Sequence, residues 1–336
     1  MTLPDKMTLN AVRRSFVLAA MAGLFAASTS IAVGQPLADR PIRIIAVGTP
    51  GATADILARV VADSLTKSLG QPVVVEPKPG AGGVVAMESF LRAPADGHTY
   101  LLSISSLVSE LPYTFKPKYD PFTAIRPLVE LGSMGAMLVG NVNLPPKNFQ
   151  ELVAYVKANK GRVNIGSFSP GTMSHILGLQ LNQLAGLDMN IIQYNGSTPG
   201  LVDVMAGNVQ FQMDLPLTSA PLIKAGKLRL FAVSSPKRSE LMPEVPTFAE
   251  LGYDAMTRTS WMGLWTLPGV PDAIQQRIRS EVLKALNTPE IGERLSSLGL
   301  SVTSKNPRTP EELSMSLKKD YKTTGEVLQA VGYKPQ

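Results

Sequence analysis

The sequence predicts an α/β protein built from two similar halves. Short β-branched runs alternate with segments of helical period along most of the chain. Glycine-rich turns with hydroxyl side chains join several of these runs to the helices that follow. Such alternation is typical of a largely parallel sheet with helices on its faces. The chain shows no internal period of 20–50 residues, which excludes a repeat array.

The first half gives three strands and two helices. Its first helix has an apolar residue every three or four positions and ends at Gly70, a residue that commonly closes a helix. A glycine-rich turn over 79–83 opens the second helix, and we expect His98 to lie exposed in the turn after it. The predicted segments are the strands 41–47, 72–76 and 99–104 and the helices 53–69 and 84–93.

The second half repeats the alternation, and three further helices close the chain. The predicted strands are 163–167, 189–193, 209–213 and 228–233, and the predicted helices are 149–160, 172–184, 198–206, 272–286, 289–298 and 310–331. Because domains average roughly 150 residues, the 336 residues suggest about two domains.

Composition excludes several protein classes. Hydrophobic residues make up 44% and charged residues 17%, so the chain can build a packed core. The sequence contains no Cys, which excludes disulfides, thiolate metal sites and thiol nucleophiles. The formal net charge is +6, but the basic residues are scattered rather than clustered, so we expect no nucleic-acid partner.

Residues 1–34 have the pattern of a secretory signal peptide. A basic stretch ending in Arg13-Arg14 precedes a short apolar run over 15–27, and small residues then allow cleavage near Ala32 or Gly34. The apolar run is too short for a membrane span. We therefore expect an exported, periplasmic protein. The arginine pair leaves open whether the general secretory or the twin-arginine route is used.

Known cofactor and catalytic motifs are missing from the sequence. The turn over 79–83 does not fit the dinucleotide pattern because Val85 stands where a small residue is required, and no P-loop lysine follows. The chain has only two histidines, His98 and His175, without carboxylates at metal-ligand spacing. No nucleophile elbow or metalloprotease motif is present. We therefore expect no cofactor and no metal, and no residue pattern supports a catalytic site.

Three turns with glycine and hydroxyl residues are candidates for a ligand site. They cover 48–55, 167–175 and 194–198, and each connects a predicted strand to a helix start. Backbone N–H groups at such helix starts bind anions, although for any single turn the favoured interpretation is that it only caps its helix. We expect Asp55 to accept N–H groups of its own loop and hold the loop in shape. For His175, a bond to the ligand and a bond to the backbone both remain open.

A set of short motifs in fixed order resembles one known family. The resemblance runs from about residue 41 to the C-terminus and rests on the motifs PIRII at 41–45, PG at 50–51, LGQPVVVE at 69–76, PGAGG at 79–83, ADGHT at 95–99, YNG at 194–196, AGKLR at 225–229 and VPT at 245–247, with Ser167, His175 and Trp261 between or after them. In these features the chain is similar to the periplasmic solute-binding proteins of tripartite tricarboxylate transporters, the Bug family.

The resemblance implies a two-lobed periplasmic-binding-protein fold, of the Venus-flytrap, type II-like kind. The first lobe would comprise residues 36–135 and 259–336, and the second lobe residues 136–258. A small carboxylate, either a dicarboxylate or tricarboxylate or an aromatic acid, would be held between the lobes and delivered to membrane transporter subunits. The protein would act as a monomer and without catalysis.

The resemblance also implies a set of ligand contacts. They are Thr49, Pro50, Gly51, Ala52, Thr53, Ser105 and Ser106 in the first lobe, and Ser167, Ser169, Gly171, Thr172, Tyr194, Asn195 and Asp214 in the second. The family usually has glycine at the positions of Ala52 and Ser169 and lysine at that of Asn195, so the ligand is not fixed by the resemblance. Two other functions remain as alternatives: a flytrap sensor that presents its ligand to a receptor kinase, and an exported α/β enzyme acting on small anions.

Overall fold

Two five-stranded sheets form the framework of the protein in the computed structural model, which describes residues 40–115, 117–302 and 306–333. The predicted signal peptide and its cleavage site lie outside these residues. Each sheet has helices packed against it, so the predicted α/β architecture with two halves is confirmed. The residue limits predicted for the two lobes remain a prediction.

The first sheet has the strand order β2-β1-β3-β10-β4. Strand β1 pairs in parallel with β2 and β3, whereas β10 runs antiparallel between β3 and β4. The strands are β1 (Ile42–Val47), β2 (Val73–Lys78), β3 (Thr99–Ile104), β4 (Arg126–Gly135) and β10 (Thr259–Thr266).

The second sheet repeats this order as β7-β6-β8-β5-β9. Its parallel strands are centred on β6, and β5 runs antiparallel between β8 and β9. In both sheets the antiparallel strand is the first one formed after the chain crosses from the other sheet. The strands are β5 (Met137–Asn141), β6 (Asn164–Ser167), β7 (Asn190–Gln193), β8 (Phe211–Asp214) and β9 (Leu228–Val233).

Helices follow most of the parallel strands. Several begin directly after a glycine or hydroxyl residue at a strand end, which places the loops at the carboxyl edges of both sheets. The helices are α1 (Thr53–Leu69), α2 (Val84–Leu91), α3 (Ser106–Ser109), α4 (Pro121–Ala124), α5 (Phe149–Ala158), α6 (Met173–Ala185), α7 (Ser197–Ala206), α8 (Pro216–Lys224), α9 (Asp272–Leu286), α10 (Pro289–Ser297) and α11 (Pro310–Ala330). No helix in the described part of the chain is long and apolar enough to cross a membrane.

One local expectation is wrong. His98 is buried, with 6% of its surface exposed, rather than exposed in a surface turn. Its Nδ1 lies 3.1 Å from Arg40 Nη2, and its backbone N–H donates to Asp96 Oδ1 at 2.9 Å. The turn is buried because Ile274 and Val270 of the C-terminal part pack directly against Gly97.

Candidate ligand-binding site

A cavity of about 60 Å³ lies where loops from the carboxyl edges of the two sheets meet. One water needs roughly 15 Å³ of such space, so the cavity as it stands holds about four waters. None of the described residues that line it carries a charged side chain. The lining comprises Val47, Gly48, Ala52, Thr53, Ala54, Gly80, Gly82, Gly83, Ile104, Leu107 and Met262 from the first sheet and its loops, and Phe168, Ser169, Thr172, Asn195, Gly196, Ser197 and Leu215 from the second.

The loop between β1 and α1 forms one wall of the cavity. Gly51 has a φ of +76°, which few other residues adopt, and its N–H donates to Asp55 Oδ2 at 2.9 Å. Asp55 also pairs with Arg59, whose Nη2 lies 2.9 Å from Oδ1. The buried carboxylate is therefore turned toward its own loop and Arg59, and the residue that caps α1 is Ala52, which has no side-chain acceptor.

The loop between β6 and α6 forms the opposite wall. The Ser167 hydroxyl lies 3.0 Å from the Ser169 carbonyl oxygen and 2.8 Å from Ser174 Oγ, and the Thr172 hydroxyl donates to the same carbonyl at 2.8 Å. These bonds occupy the side chains of Ser167 and Thr172 inside the loop. The Ser169 hydroxyl itself takes no part in the network.

Three close contacts join loops of the two sheets across the cavity. A Cβ added at Gly171 would lie 1.7 Å from Thr114 Oγ1, and one added at Gly196 would lie 2.8 Å from Thr49 Oγ1. A Cβ at Gly82 would lie 3.0 Å from the Pro170 carbonyl oxygen. Contacts below about 3 Å leave no room for a side chain, so glycine is what permits the loops to approach this closely.

Three hydroxyls at the cavity are buried without a hydrogen-bond partner among the described residues. They belong to Thr49 and Thr53 on the first sheet's loop and to Ser169 on the second. Thr53 and Ser169 line the cavity directly, and Thr49 adjoins it through Gly196. A buried hydroxyl without a partner loses about 1–3 kcal/mol relative to a bonded one, so a molecule in the cavity that accepts hydrogen bonds from these groups would be favoured.

Five helix N-termini lie at the cavity. The N-cap residues of α1, α2, α6, α7 and α8 are Ala52, Gly83, Thr172, Gly196 and Leu215, and all five line it. None of these residues accepts a backbone N–H of its helix with a side chain, unlike Asn148 and Thr309, which cap α5 and α11. Helices α9 and α10 also lack such a cap, but their N-cap residues are exposed and water can serve. Unpaired N–H groups and the positive end of the helix dipole favour an anion here.

His175 lies behind the loop rather than in the cavity lining. Its Nδ1 accepts the Gly171 N–H at 3.1 Å, and its ring packs edge-on against Tyr333 at 5.6 Å. Burial lowers the pKa of His175 to about 4. The imidazole is therefore neutral at physiological pH and bonds the backbone, which is one of the two roles left open by the sequence.

Asp214 and Tyr194 also lie behind the lining residues. Asp214 is fully buried and accepts bonds from Thr218 Oγ1 at 2.6 Å, from the Ser219 hydroxyl and from Gln212 Nε2 at 3.2 Å. Its pKa is raised by burial, against the effect of these hydroxyls and of Ser197. The Tyr194 hydroxyl donates to Asp203 Oδ2 at 2.6 Å, so this hydroxyl is already bonded to helix α7.

The structure therefore distributes the candidate residues over three places. Ala52, Thr53, Ser169, Thr172 and Asn195 line the cavity. Thr49, Pro50, Gly51, Ser167, Gly171, His175, Tyr194 and Asp214 belong to the same loops or support them from behind, and Asp55 bonds its own loop. Ser105 is the N-cap residue of α3 and Ser106 its first residue, and Ser105 lines a second cavity.

The sequence did not identify the glycines Gly80, Gly82 and Gly83 or the apolar walls as part of this site. The glycine turn follows β2, and this position is sufficient to place it at the same sheet edge as Gly51. The apolar walls consist of Val47, Ile104, Leu107, Phe168, Leu215 and Met262. In the sequence these residues are indistinguishable from core residues.

The second cavity, of about 230 Å³, lies where the chain returns to the first sheet. It is bounded by polar residues of α3, α11 and the start of β10, among them Glu110, Arg258 and Asp320. Arg258 Nη1 donates to Glu110 Oε1 at 2.8 Å, whereas Glu110 Oε2 is buried without a partner among the described residues. No group of three or more His, Asp or Glu side chains that could hold a metal ion occurs in the described ranges.

Comparison with known proteins assigns the chain to a family. Residues 57–332 match the family described as "Tripartite tricarboxylate transporter family receptor". A protein from Cupriavidus necator, "UPF0065 protein in gbd 5'region", is 36% identical over 298 residues, which cover 86% of this chain and 89% of the relative. The structure of periplasmic binding protein BugD superposes with a TM-score of 0.84 at 29% identity, covering 89% of this chain and all of BugD.

A third relative has a ligand in its structure. MatC from Rhodopseudomonas palustris, determined with bound malate, superposes with a TM-score of 0.80 at 26% identity, covering 86% of this chain and 99% of MatC. These matches confirm the two-lobed periplasmic-binding-protein fold and the resemblance seen in the motifs. The chain belongs to the family of solute-binding receptors of tripartite tricarboxylate transporters, the Bug proteins.

Proposed function

We propose that this protein captures a small carboxylate in the cavity between its sheets, in the periplasm, and delivers it to the membrane subunits of a tripartite tricarboxylate transporter. The observation that carries the proposal is a pair of hydroxyls, Thr53 from one wall and Ser169 from the other. Both line the cavity and lack a partner among the described residues. The two oxygens of a carboxylate accept such donors.

Neutral groups are sufficient to hold the charge. A helix N-terminus contributes about 0.3–1 kcal/mol to an exposed anion and up to roughly 2 kcal/mol to a partly buried one. A hydrogen bond to a charged group adds about 1.5–3 kcal/mol. Several such contacts, less the cost of ordering the ligand, give a binding free energy of about −8 kcal/mol, which corresponds to a micromolar dissociation constant. MatC, the relative whose structure was determined with bound malate, supports a small anionic ligand.

The candidate residues take different roles in this proposal. Ala52, Thr53, Ser169, Thr172 and Asn195 contact the ligand. Thr49, Pro50, Gly51 and Gly171 shape the loops at the points where they meet. Ser167, His175, Tyr194 and Asp214 hold the second wall from behind, and Asp55 holds the first. Ser105 and Ser106 position α3, whose Leu107 lines the cavity.

Lobe closure is part of the proposal. Loops of the two sheets meet beside the cavity at Gly171, Gly196 and Gly82, so their separation would widen the entrance for a ligand. We infer that the lobes open to load the ligand and close through the glycine contacts described above. We further infer that the mature chain begins near residue 33 or 35 and acts as a monomer.

The cavity favours binding over catalysis. None of the described residues that line it is a His, Asp, Glu, Lys or Arg, so a general acid or base is missing from the place where the ligand would lie.

Measurement of ligand uptake by cells distinguishes delivery to a transporter from presentation to a sensor kinase. Cells that lack the protein lose uptake of the labelled acid if it serves a transporter, and keep uptake but lose the transcriptional response if it serves a sensor.

Binding itself is tested by calorimetry of the mature protein with a panel of carboxylates. Thr53→Val removes one donor, and we expect it to weaken the best ligand about tenfold to a hundredfold. Thr266→Val is the matched control, because Thr266 is also buried with an unpartnered hydroxyl but lies outside the cavity. Equal losses in both variants, or no loss in Thr53→Val, would contradict the proposal.

A further inference from the structure

We propose that the ligand is a carboxylate with an unsubstituted hydrocarbon body, without hydroxyl or ammonium groups between its ends. This inference rests on the proposed function and specifies the ligand class of the same cavity. The cavity surfaces between the polar groups determine which substituents the middle of the ligand can have.

The apolar walls come from both lobes. Val47, Ile104, Leu107 and Met262 line the cavity from the first sheet, and Phe168 and Leu215 line it from the second. All except Val47 are buried already, with at most 9% of their surface exposed. A ligand held between these side chains loses water from its middle, where they offer no hydrogen bond in return.

The polar side chains that line the cavity do not supply partners for a substituted body. The Thr172 hydroxyl is occupied by the Ser169 carbonyl at 2.8 Å, and Ser197 is bonded to the buried Asp214. Asn195 is exposed and lies at the solvent side. The hydroxyls left over, those of Thr53 and Ser169, are accounted for by carboxylate oxygens.

An ammonium group would be particularly unfavourable. Two carboxylates adjoin lining residues in the sequence: Asp55, paired with Arg59 and the Gly51 N–H, and Asp214, which accepts bonds from Thr218, Ser219 and Gln212. Neither lines the cavity. A buried ammonium without a carboxylate partner carries a large desolvation penalty. An α-amino acid would therefore bind more weakly than the acid of the same skeleton.

The test uses acids that share one carbon skeleton and differ in a single substituent. Calorimetry compares succinate with malate and aspartate, glutarate with 2-hydroxyglutarate and glutamate, adipate with 2-hydroxyadipate and 2-aminoadipate, and butanoate with 3-hydroxybutanoate and 2-aminobutanoate. In the series that binds best, we expect the hydroxy acid to be weaker by about 5- to 150-fold, the ratio that corresponds to one unsatisfied hydroxyl, and the amino acid to be weaker still.

One pair of variants tests the wall directly. Met262→Gln keeps the length of the side chain and adds polar atoms. The ratio of the affinity for the unsubstituted acid to that for the hydroxy acid should therefore fall at least threefold, whereas Met262→Leu should leave this ratio unchanged. If the hydroxy or amino acid binds as tightly as its parent in wild type, the inference is overturned while carboxylate capture stands. If no carboxylate binds, neither these twelve acids nor the tricarboxylates and aromatic acids of the calorimetric panel, the proposed function itself falls.

Discussion

Glutamate 110 makes the stability of the protein depend on pH in a direction that can be worked out. It lies at the end of α3 with 4% of its surface exposed. Burial raises its pKa to about 7 from an ordinary value of 4.5, and the nearby Asp320 adds to the rise, whereas the ion pair with Arg258 opposes it. The folded protein therefore binds this proton more tightly than the unfolded chain does.

The sign and the size follow from linkage. Because the pKa is raised on folding, the stabilising contribution of Glu110 is complete below about pH 4.5 and is lost as the pH rises through 7. Each pH unit inside this window corresponds to about 1.4 kcal/mol, so the loss amounts to about 3 kcal/mol. Glu110→Gln cannot ionise and should not show this loss. Arg258 is present in both proteins and cancels in the comparison.

The measurement is the free energy of unfolding from urea titrations at pH 4.5, 6, 7 and 8. We expect the difference, variant minus wild type, to increase by about 3 kcal/mol between pH 4.5 and pH 8. Glu293→Gln, at an exposed position on α10, is the control and should show a constant difference. A difference for Glu110→Gln that stays flat or decreases with pH would refute the reasoning.

Two further predictions concern the ligand site. His175→Ala should change ligand affinity without changing its pH profile between pH 6 and 8, because burial already keeps the imidazole neutral with a pKa of about 4; a tenfold gain in affinity on acidification that disappears in the variant would show that the imidazolium binds the ligand. Gly171→Ala should weaken binding at least tenfold and prevent compaction in X-ray scattering, because its Cβ meets Thr114. Gly186→Ala is the control, since Gly186 has a similar φ of +61° and no atom near the added Cβ; equal effects of the two variants would count against closure through this contact.

The elements that the sequence predicted have either a readable period or a turn signal at one end; β3 and β8 are buried throughout, yet each begins shortly after a glycine, Gly97 or Gly207. Helix α1 has alternating buried and exposed positions, so its period is readable over the full length of Thr53–Leu69. Strands β4 and β10 were not predicted, because they are buried on both faces and lack the alternation that marks a strand. Helix α8 was also missed, since Pro216 and Pro221 argue against a helix although this one tolerates both.

The candidate site could be located from the sequence but not resolved into roles. Loop position followed from the strand–helix alternation, which places the ends of parallel strands at one edge of a sheet. Which side of a loop faces the cavity depends on packing. Ser167 and Ser169 are two residues apart, yet the first is bonded inside the loop and the second is left without a partner among the described residues. No sequence pattern distinguishes these two serines.

When uncharged donors from two lobes share one ligand, the affinity for that ligand depends on closure of the lobes. If one buried arginine held the anion, most of the binding free energy would remain with one lobe after opening, and release would be slow. In the proposed site the donors are split: Thr53 and the start of α1 lie on one wall, and Ser169 and the start of α6 lie on the other. Separation of the walls removes about half of the contacts at once, and since each contact with the anion contributes about 1.5–3 kcal/mol, the loss of two lowers affinity by at least a hundredfold. A partner that only separates the lobes would therefore release the ligand without competing for its site.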